Sequence, residues 1–296
     1  MISKTAMITI CGRPNVGKST LTNALAGEKI AIVSNKPQTT RNRITAVCQR
    51  AETQFVFLDT PGFHKPRTRL GDYMVNVVRQ SVADVDAVVL VVEPVASIGP
   101  QERELIASIK AANCPAVLAI NKLDTVEPEK LLAVIALYSE AYSFNAIVPI
   151  SAKTGDGVEE LLKELDKFAV ESPALFPEGV TTDQPEKQVC AELIREKLLL
   201  NLEREVPHGT AVEITRFSER DDGIIDLEAT IYCEKASHKG IIIGKHGAML
   251  KKIGEDARKD IEEFMGTKVF LQTWVKVKEK WRDSNSLLRN FGYTDT

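Results

Sequence analysis

The chain has 296 residues, a formal net charge of −3 and a hydrophobic fraction of 44%. This length favours two domains over one, and the apolar fraction is sufficient for two cores. The net charge argues against a generally basic nucleic-acid binder, but residues 237–282 carry eleven lysines and arginines against six acidic residues. A locally basic segment predicts a directed contact with phosphate groups.

The five cysteines are scattered and lack the paired spacing of a metal site. We interpret them as buried, reduced thiols and expect a cytoplasmic protein. The first residues lead directly into a strand pattern and do not match a signal peptide. The apolar run from Ala87 to Val92 is too short to span a bilayer.

Short β-branched segments alternate with longer amphipathic segments up to about Glu171. Strands are predicted at residues 6–11, 44–49, 54–58, 86–92, 115–120 and 146–150. Helices are predicted after Lys18 and at residues 71–83, 100–112, 128–141 and 157–169. This alternation predicts an α/β domain with a mostly parallel six-stranded sheet and helices on both faces. The closely spaced strands within residues 44–58 predict a hairpin that gives the sheet one antiparallel edge.

The segment Gly-Arg-Pro-Asn-Val-Gly-Lys-Ser from Gly12 to Ser19 lies between a predicted strand and a predicted helix. Glycines allow backbone amides to curl around phosphates, and a helix N-terminus favours an anion. We predict that Lys18 contacts the β- and γ-phosphates and that Ser19 is a ligand of Mg²⁺. The predicted phosphate-binding residues are Gly12, Asn15, Val16, Gly17, Lys18, Ser19 and Thr20.

The polar segment from Ser34 to Arg41 has no periodicity. A threonine here would complete the Mg²⁺ shell only when the γ-phosphate is bound, which would make the segment a switch. We favour Thr40 over Thr39 for this role, and a plain surface loop is the alternative.

Asp59-Thr60-Pro61-Gly62 follows a predicted strand and forms the second part of the predicted switch. Asp59 is expected to hold Mg²⁺ together with Ser19 and Thr40, and the Gly62 amide is expected to face the γ-phosphate. The next residue is Phe63, where many switch GTPases have a glutamine that orients water, so we expect slow intrinsic hydrolysis. Arg13 and Arg41 could supply a positive charge, but we expect solvated or phosphate-steering side chains.

Asn121-Lys122-Leu123-Asp124 follows the strand predicted at residues 115–120. The Asp124 carboxylate can accept both hydrogens from the N1 and N2 edge of guanine, which adenine lacks. This motif therefore indicates GTP and disfavours a P-loop kinase. Ser151-Ala152-Lys153 is expected to support the base through the Ala152 amide. The predicted guanine-binding residues are Asn121, Lys122, Asp124, Ser151, Ala152 and Lys153.

Three prolines and a glycine between Ser172 and Pro185 predict a linker. We accordingly expect a nucleotide-binding domain at residues 1–172, a linker at 173–185 and a second domain with a C-terminal tail at 186–296. The second domain is predicted as an α+β module. Its predicted elements are a helix at 186–206, strands at 211–217 and 225–233, a short apolar helix, a glycine loop, a helix at 248–264 and a strand at 268–275.

The segment Ile-Ile-Ile-Gly-Lys-His-Gly-Ala-Met-Leu from Ile241 to Leu250 resembles the centre of a KH domain. Two glycines allow close approach to a nucleic-acid backbone, and the neighbouring apolar surface can hold about four unstacked bases. A turn inside a structural domain is the alternative. The predicted RNA-binding residues are Ile243, Gly244, Lys245, His246, Gly247 and Lys251.

Lys251, Lys252, Arg258 and Lys259 on the predicted helix at 248–264 are candidates to extend the phosphate track, and half of them are expected to belong to an ordinary solvated helix face. His246 is expected to be exposed. Both tryptophans are candidates for stacking on bases, but Trp274 is expected to pack in the core because it lies on a strand.

Taken together, these motifs resemble the Era family of GTPases over essentially the whole chain. The resemblance rests on Arg-Pro-Asn in the glycine loop, Pro-Gln-Thr-Thr-Arg in the switch, Asp-Thr-Pro-Gly-Phe and the appended KH-like module. It implies slow, Mg²⁺-dependent hydrolysis of GTP to GDP and binding of single-stranded RNA at the 3′ end of small-subunit ribosomal RNA. It also implies a role in assembly of the small ribosomal subunit and peripheral association with the inner face of the cell membrane.

The resemblance further implies a bound K⁺, because related GTPases with an asparagine at the position of Asn15 use one beside the phosphates. The alternative is that Asn15 caps the turn of its own loop. Two other functions stay open at this point. The C-terminal module could dock a protein and leave the glycine loop inert, or the chain could be a scaffold at a membrane surface with a structural nucleotide. We expect a monomer.

Overall fold

The computed structural model describes residues 2–62, 68–81 and 85–293, except the side chain of Arg79. Within these ranges the chain divides into two units. The first contains residues 2–31, 40–62, 71–81 and 85–183, and the second contains residues 32–39, 68–70 and 184–293. The prediction about Phe63 concerns a residue outside the described ranges. The second unit thus includes an eight-residue segment from the N-terminal half of the chain.

A mostly parallel sheet forms the centre of the first unit. Its strands are β1 (Lys4–Cys11), β2 (Ile44–Arg50), β3 (Thr53–Asp59), β4 (Ala87–Val92), β5 (Ala116–Ile120) and β6 (Ala146–Pro149), in the order β2-β3-β1-β4-β5-β6. Only β2 is antiparallel to its neighbour along this path. A two-residue strand, β7 (Val170–Glu171), pairs antiparallel with the start of β1. The predicted sheet with one antiparallel hairpin is confirmed.

Helices cover both faces of this sheet. They are α1 (Lys18–Ala26), α2 (Arg69–Ser81), α3 (Pro100–Ala112), α4 (Pro128–Ala141) and α5 (Val158–Asp166). Strand side chains alternate between faces, so Val89 and Val91 of β4 pack with α1 and α5, whereas Val88 and Leu90 pack with α3 and α4. Prolines at the first positions of α3 and α4 have a fixed φ that suits a helix start, and both starts match the prediction.

The Pro-rich segment after β7 lies along the edge of the first unit's sheet. The Val47 amide of β2 donates to the Thr181 carbonyl at 2.7 Å, and the Thr182 hydroxyl donates to the Thr45 carbonyl at 2.7 Å. Gln54 of β3 accepts from the amides of Leu175 and Phe176 at 2.8 and 2.9 Å. The bonds at Val47 and Thr45 satisfy backbone groups of β2, an edge strand, that would otherwise be open to another chain.

The second unit contains a three-stranded sheet and four helices among its described residues. Its strands β8 (Ala211–Glu219), β9 (Ile225–Cys233) and β10 (Val269–Val277) lie in the order β10-β9-β8, with β10 parallel to β9 and β8 antiparallel to it. Its helices are α6 (Glu186–Asn201), α7 (Ala236–Ile243), α8 (Ala248–Met265) and α9 (Asn285–Asn290). The predicted helix over residues 186–206 is too long. The helix ends at Asn201, because the backbone becomes extended at Leu202 (φ −109°, ψ 155°), and residues 207–209 form a separate 3₁₀ turn.

The tryptophan predictions are wrong. Trp274 is 44% exposed, because Val269 and Val275 of β10 pack with α6 and α8 while the alternate side chains face away from that core. Trp281 is fully buried instead, and its indole N–H donates to the Gly209 carbonyl at 2.9 Å. It packs against Phe291 and Tyr293, so it cannot stack on bases without unfolding this region.

All five cysteines are free and buried, as predicted. Burial raises the pKa of Cys11 and of Cys190 to about 12, so these thiols stay protonated and unreactive in the folded protein. None of the helices in the described parts of the chain combines the length and the apolar character needed to cross a membrane.

Candidate functional site

The phosphate-binding loop connects β1 to α1 in the first unit. Gly17 has a φ of 97°, and an added Cβ would lie 2.2 Å from Asn121 Nδ2, so only glycine fits there. Lys18 is 6% exposed and its ammonium donates to the carbonyls of Gly12 and Arg13 at 3.1 and 2.9 Å. Burial lowers the pKa of Lys18, while the Asp59 carboxylate acts in the opposite direction. The loop thus curls around a desolvated positive charge, which suits a phosphate.

Three side-chain oxygens converge beside this loop. The Ser19 hydroxyl donates to Asp59 Oδ2 at 3.0 Å, and Ser19 Oγ lies 2.7 Å from Thr40 Oγ1. Asp59 Oδ1 is buried and has no hydrogen-bond partner within the described ranges. Burial raises the pKa of Asp59 to about 6, although Lys18 lowers it. A hard cation takes oxygen ligands of this kind, so these residues fit Mg²⁺.

The structure distinguishes the two switch threonines. The Thr39 hydroxyl donates to the Lys36 carbonyl at 2.6 Å, within its own segment, whereas Thr40 lies beside Ser19. This geometry favours Thr40 as the Mg²⁺ ligand.

Two residues after Asp59 have structural contacts. The Thr60 hydroxyl donates to the Ile10 carbonyl at 2.9 Å and joins the end of β3 to β1. Gly62 packs on the phosphate-binding loop, since an added Cβ would lie 2.9 Å from Pro14 Cα. Pro61, between them, is buried, and Thr20 lies in the first turn of α1.

Arg13 and Arg41 were predicted to be solvated or to steer a phosphate, and the steering role stays a prediction. Arg13 forms an ion pair with Glu93, and its Nε lies 3.1 Å from Glu102 Oε1. Glu93 also pairs with Lys122. Arg41 is 1% exposed and therefore not solvated. The positive charge of Arg13 is thus compensated by carboxylates rather than left to act on a phosphate.

The predicted guanine-binding residues lie together at the ends of β5 and β6. The Ser151 hydroxyl donates to Asp124 Oδ1 at 2.7 Å, which orients an exposed carboxylate. Asn121 donates to the Val16 carbonyl at 2.8 Å and accepts from the Ala152 amide at 2.9 Å. Asn121 therefore connects the phosphate loop to the base site. Because the Ala152 amide donates to Asn121, the predicted contact between this amide and the base stays a prediction.

Two other residues of the predicted base site differ in exposure. Lys122 has a φ of 68° and is partly exposed, and Lys153 is exposed. Asn15, in the phosphate loop, is exposed with a φ of 67°. Asparagine tolerates this left-handed conformation better than most residues, so the backbone explains its presence without an ion. The K⁺ prediction is neither supported nor contradicted by this geometry.

The sequence reasoning missed the acidic pair Glu93 and Glu102. Both are ion-paired with the phosphate-loop arginine, and Glu102 is 4% exposed. Glu93 directly follows β4, at the same carboxyl edge of the parallel sheet as the other motifs. The position of Glu93 could have identified it as a residue near the ligand, because ligands of open α/β sheets bind outside the carboxyl ends of the strands.

The glycine loop of the second unit joins α7 to α8. Gly244, His246 and Gly247 have φ values of 72°, 51° and 79°. At Gly244 an added Cβ would lie 2.7 Å from Met249 Cβ, so the tight loop requires glycine there. His246 is exposed as predicted, and Lys245 is also exposed.

The three isoleucines before the loop differ in burial. Ile242 is fully buried, Ile243 is half-buried and Ile241 is 51% exposed. Only part of this run therefore lies in the core.

A groove of about 360 Å³ extends from this loop between α8 and β10. It is lined by Gly247, Leu250, Lys251, Gly254, Glu255, Arg258, Leu271 and Thr273. Gly247 and Lys251 were predicted as RNA-binding residues and Arg258 as a candidate for phosphate contact, whereas Ile243, Gly244, Lys245 and His246 are not among the lining residues. The sequence analysis did not identify Leu250, Gly254 and Glu255 of the helical wall. These residues could have been identified from their spacing of three and four positions after Gly247, which places side chains on one helix face.

Comparisons with known proteins found matches in both halves of the chain. A family model described as "50S ribosome-binding GTPase" matches residues 7–122, and a KH domain model matches residues 205–282. The chain is 53% identical to GTPase Era from Ruminiclostridium cellulolyticum over 293 residues, which covers 99% of this chain and 98% of the relative. It is 50% identical to GTPase Era from Alkaliphilus metalliredigens, with 99% and 100% coverage.

The chain belongs to the Era family of GTPases. The resemblance inferred from the motifs is thereby confirmed. Two solved Era structures each match with a TM-score of 0.95 and 37% identity over 99% of this chain and 100% of theirs. One is a variant of Era from Aquifex aeolicus bound to GDP and AlF₄⁻. The other is Era in complex with MgGDPNP and nucleotides 1506–1542 of 16S ribosomal RNA.

Proposed function

We propose that this Era-family GTPase binds single-stranded RNA at the 3′ end of small-subunit ribosomal RNA and acts in assembly of the small ribosomal subunit. The observation that carries the RNA proposal is the groove beside the Gly244–Gly247 loop. A similar Era protein was solved with a 16S ribosomal RNA fragment and MgGDPNP, which supports the same ligands here.

In the first unit, each predicted residue has a distinct proposed role. Asp124, oriented by Ser151, selects guanine, and Lys18 neutralises the β- and γ-phosphates. Ser19, Thr40 and Asp59 would hold Mg²⁺, which offsets the negative charge that develops during phosphoryl transfer. Thr40 would act as a Mg²⁺ ligand when the γ-phosphate is bound, and this role would make it report the nucleotide state.

We expect intrinsic hydrolysis to be slow. Arg13 would have to leave Glu93 and Glu102 before its charge could act on a phosphate. A K⁺ held with the help of Asn15 is the proposed substitute for that charge. An exchange of KCl for NaCl that leaves the hydrolysis rate unchanged would remove this part of the proposal.

In the second unit, RNA is the ligand that the groove fits best. The loop offers its backbone to phosphates, Lys251 and Arg258 supply positive charge, and Leu250 and Leu271 supply apolar surface for bases. A groove that combines basic and apolar residues beside a glycine loop suits an unstacked strand rather than a duplex.

Several further properties belong to the same proposal. Residues 1–172 would bind nucleotide, residues 186–296 would bind RNA, and the protein would act as a cytoplasmic monomer. Its partner would be the small ribosomal subunit. A peripheral association with the inner membrane face would depend on the basic residues of 237–282.

The decisive experiment compares two substitutions at one position. Gly247 has a φ of 79° and no atom within 4 Å of an added Cβ, so Asp and Asn both fit with similar backbone strain. Gly247→Asp places a carboxylate where a phosphate would bind, and Gly247→Asn has the same shape without charge. With a labelled RNA of the 16S 3′ sequence, we expect Gly247→Asp to weaken binding at least about tenfold more than Gly247→Asn. Equal affinities for the two variants would contradict the proposed phosphate contact.

The alternative is that the C-terminal unit docks a protein or a membrane surface. Crosslinking in cells with a non-hydrolysable GTP analogue and with GDP separates these cases. Recovery of RNA from a discrete ribosomal site, and loss of that RNA in Gly247→Asp, would support RNA binding by the C-terminal unit. The absence of enriched RNA in both nucleotide states would favour the alternative.

A further inference from the structure

The segment Ile32–Thr39 belongs to the second unit and is bound to α6 along its length. Ile32 is 2% exposed and packs in the second unit's apolar cluster. The Val33 amide donates to Glu196 Oε1 at 2.8 Å. The Lys36 ammonium donates to the carbonyls of Leu199 and Leu202, at the end of α6, where a helix favours a positive charge.

Arg195 of α6 holds the end of this segment. Its guanidinium donates to the Gln38 carbonyl at 3.3 Å and to the Thr39 carbonyl. Gln38 has a φ of 61°, a conformation that few residues other than glycine adopt, so the backbone is held in an unusual shape where Arg195 binds it. Such strain persists only where surrounding contacts determine it.

This arrangement is a built site rather than a surface contact. Arg195 is fully buried, and its Nε donates to Glu192 Oε1 at 2.8 Å, one helical turn earlier. A buried guanidinium is costly unless its donors are satisfied, and here a carboxylate and two carbonyls satisfy them. Lysine could not replace it, because a single ammonium lacks the planar fork that reaches these acceptors together.

Thr40 is the next residue in the chain after Thr39, and its hydroxyl lies 2.7 Å from Ser19 Oγ. A carbonyl held at Thr39 therefore restricts where the Thr40 side chain can lie. We propose that Arg195 is a positioning residue for GTP hydrolysis: it holds the carbonyls of Gln38 and Thr39 so that Thr40 is placed to bind Mg²⁺ when the γ-phosphate is present. This inference rests on the proposed role of Thr40 as an Mg²⁺ ligand.

Removing Arg195 alone would leave the Glu192 carboxylate without its buried partner, so the test uses the double variant Arg195→Gln/Glu192→Gln. Arg216→Gln is the matched control, because Arg216 is a 57% exposed arginine of the same unit that pairs with acidic residues on the sheet. Affinities for a non-hydrolysable GTP analogue and for GDP are measured with Mg²⁺, together with the Mg²⁺ dependence of hydrolysis.

We expect the double variant to bind the GTP analogue about tenfold more weakly relative to GDP, since a hydrogen bond from a charged donor is worth roughly that factor. The Mg²⁺ concentration for half-maximal hydrolysis should rise, and Arg216→Gln should change neither quantity. Lys36→Met, which loosens the same segment without disturbing the buried arginine, should act in the same direction with a smaller effect.

Two results would overturn the inference. One is an unchanged preference for the GTP analogue over GDP in both the double variant and Lys36→Met. The other is an equal loss for both nucleotides, which would indicate a purely structural role. Thr40→Ala separates this failure from failure of the proposed site. If Thr40→Ala weakens the GTP analogue selectively and the Arg195 variants do not, only the positioning role is wrong. If Thr40→Ala has no selective effect, the proposed Mg²⁺ role of Thr40 is itself wrong.

Discussion

Asp59 and Lys18 are buried side chains of opposite charge in the nucleotide site of the first unit. Burial disfavours the charged form of both side chains and raises the pKa of Asp59 to about 6. Each charge in turn favours the other, and the Ser19 hydroxyl donates to the carboxylate. Such a pair is expensive to maintain for stability alone. Its expected benefit is a preorganised field for a phosphate and a cation.

At the residue scale, Asp124→Asn tests the choice of base. The substitution replaces one acceptor with an amide donor that faces the N1 and N2 hydrogens of guanine, so we expect GTP affinity to fall at least about 100-fold. Ser151→Ala removes only the hydroxyl that donates to Asp124 Oδ1 at 2.7 Å, so its loss should be about tenfold or less.

Equilibrium titration with a fluorescent GDP analogue measures both variants. The order of the two losses is the informative result, because Ser151 acts through the Asp124 carboxylate. A larger loss in Ser151→Ala than in Asp124→Asn would contradict the assigned roles.

At the element scale, α8 combines two functions that the sequence pattern separates poorly. One face carries Ile253, Ala257 and Ile261, which are fully buried in the core of the second unit. The other face carries Gly254 and Arg258 into the groove. A glycine inside a helix costs about 0.5–1 kcal/mol relative to alanine, so Gly254 is explained better by the groove than by the helix.

Gly254 therefore provides an element-scale prediction. No atom lies within 4 Å of an added Cβ at this position. We expect Gly254→Ala to raise the free energy of unfolding by about 0.5–1 kcal/mol in urea titrations. Gly254→Leu should keep α8 intact but fill the groove and weaken RNA binding at least about tenfold. Undiminished RNA binding by a folded Gly254→Leu would exclude this groove as the RNA site.

At the scale of the whole molecule, the nucleotide and RNA sites are expected to be linked. Within the second unit, Glu196 accepts from Val33 of the Ile32–Thr39 segment and from Lys197 at 3.0 Å, and Lys197 pairs with Asp260 of α8. A continuous set of polar contacts thus runs from the switch segment to the helix that lines the groove. We expect a conformational change in the Ile32–Thr39 segment to alter the position of α8 through these contacts.

The corresponding prediction is a difference in RNA affinity between nucleotide states. We expect the 16S 3′-end RNA to bind at least about fivefold tighter or weaker with a GTP analogue than with GDP. By thermodynamic linkage, that RNA must change the ratio of the two nucleotide affinities by the same factor. Calorimetry of each ligand with and without the other measures both factors. Identical RNA affinities in the two states would show that the sites are independent.

Sequence reasoning predicted the first unit more completely than the second for a physical reason. Proline at the start of α3 and α4 and hydrophobic strands buried on both faces are local signals, and the corresponding elements agree closely with prediction. Trp274 was misplaced because a strand pattern shows that alternate residues share a face but not which face is covered. The end of α6 was misjudged because the apolar spacing continues through Leu202, where the backbone is already extended.

The sequence by itself determined the chemistry of the nucleotide site. Phosphate, magnesium and guanine require particular residue types at short spacings on strand ends, and those spacings are visible in one dimension. The tertiary structure alone decided the contact between Thr40 and Ser19, the ion pairs of Arg13, and the assignment of residues 32–39 to the second unit. These depend on contacts between residues far apart in the chain. The Arg195–Thr39 contact spans 156 positions, and no local pattern of charge or hydrophobicity encodes it.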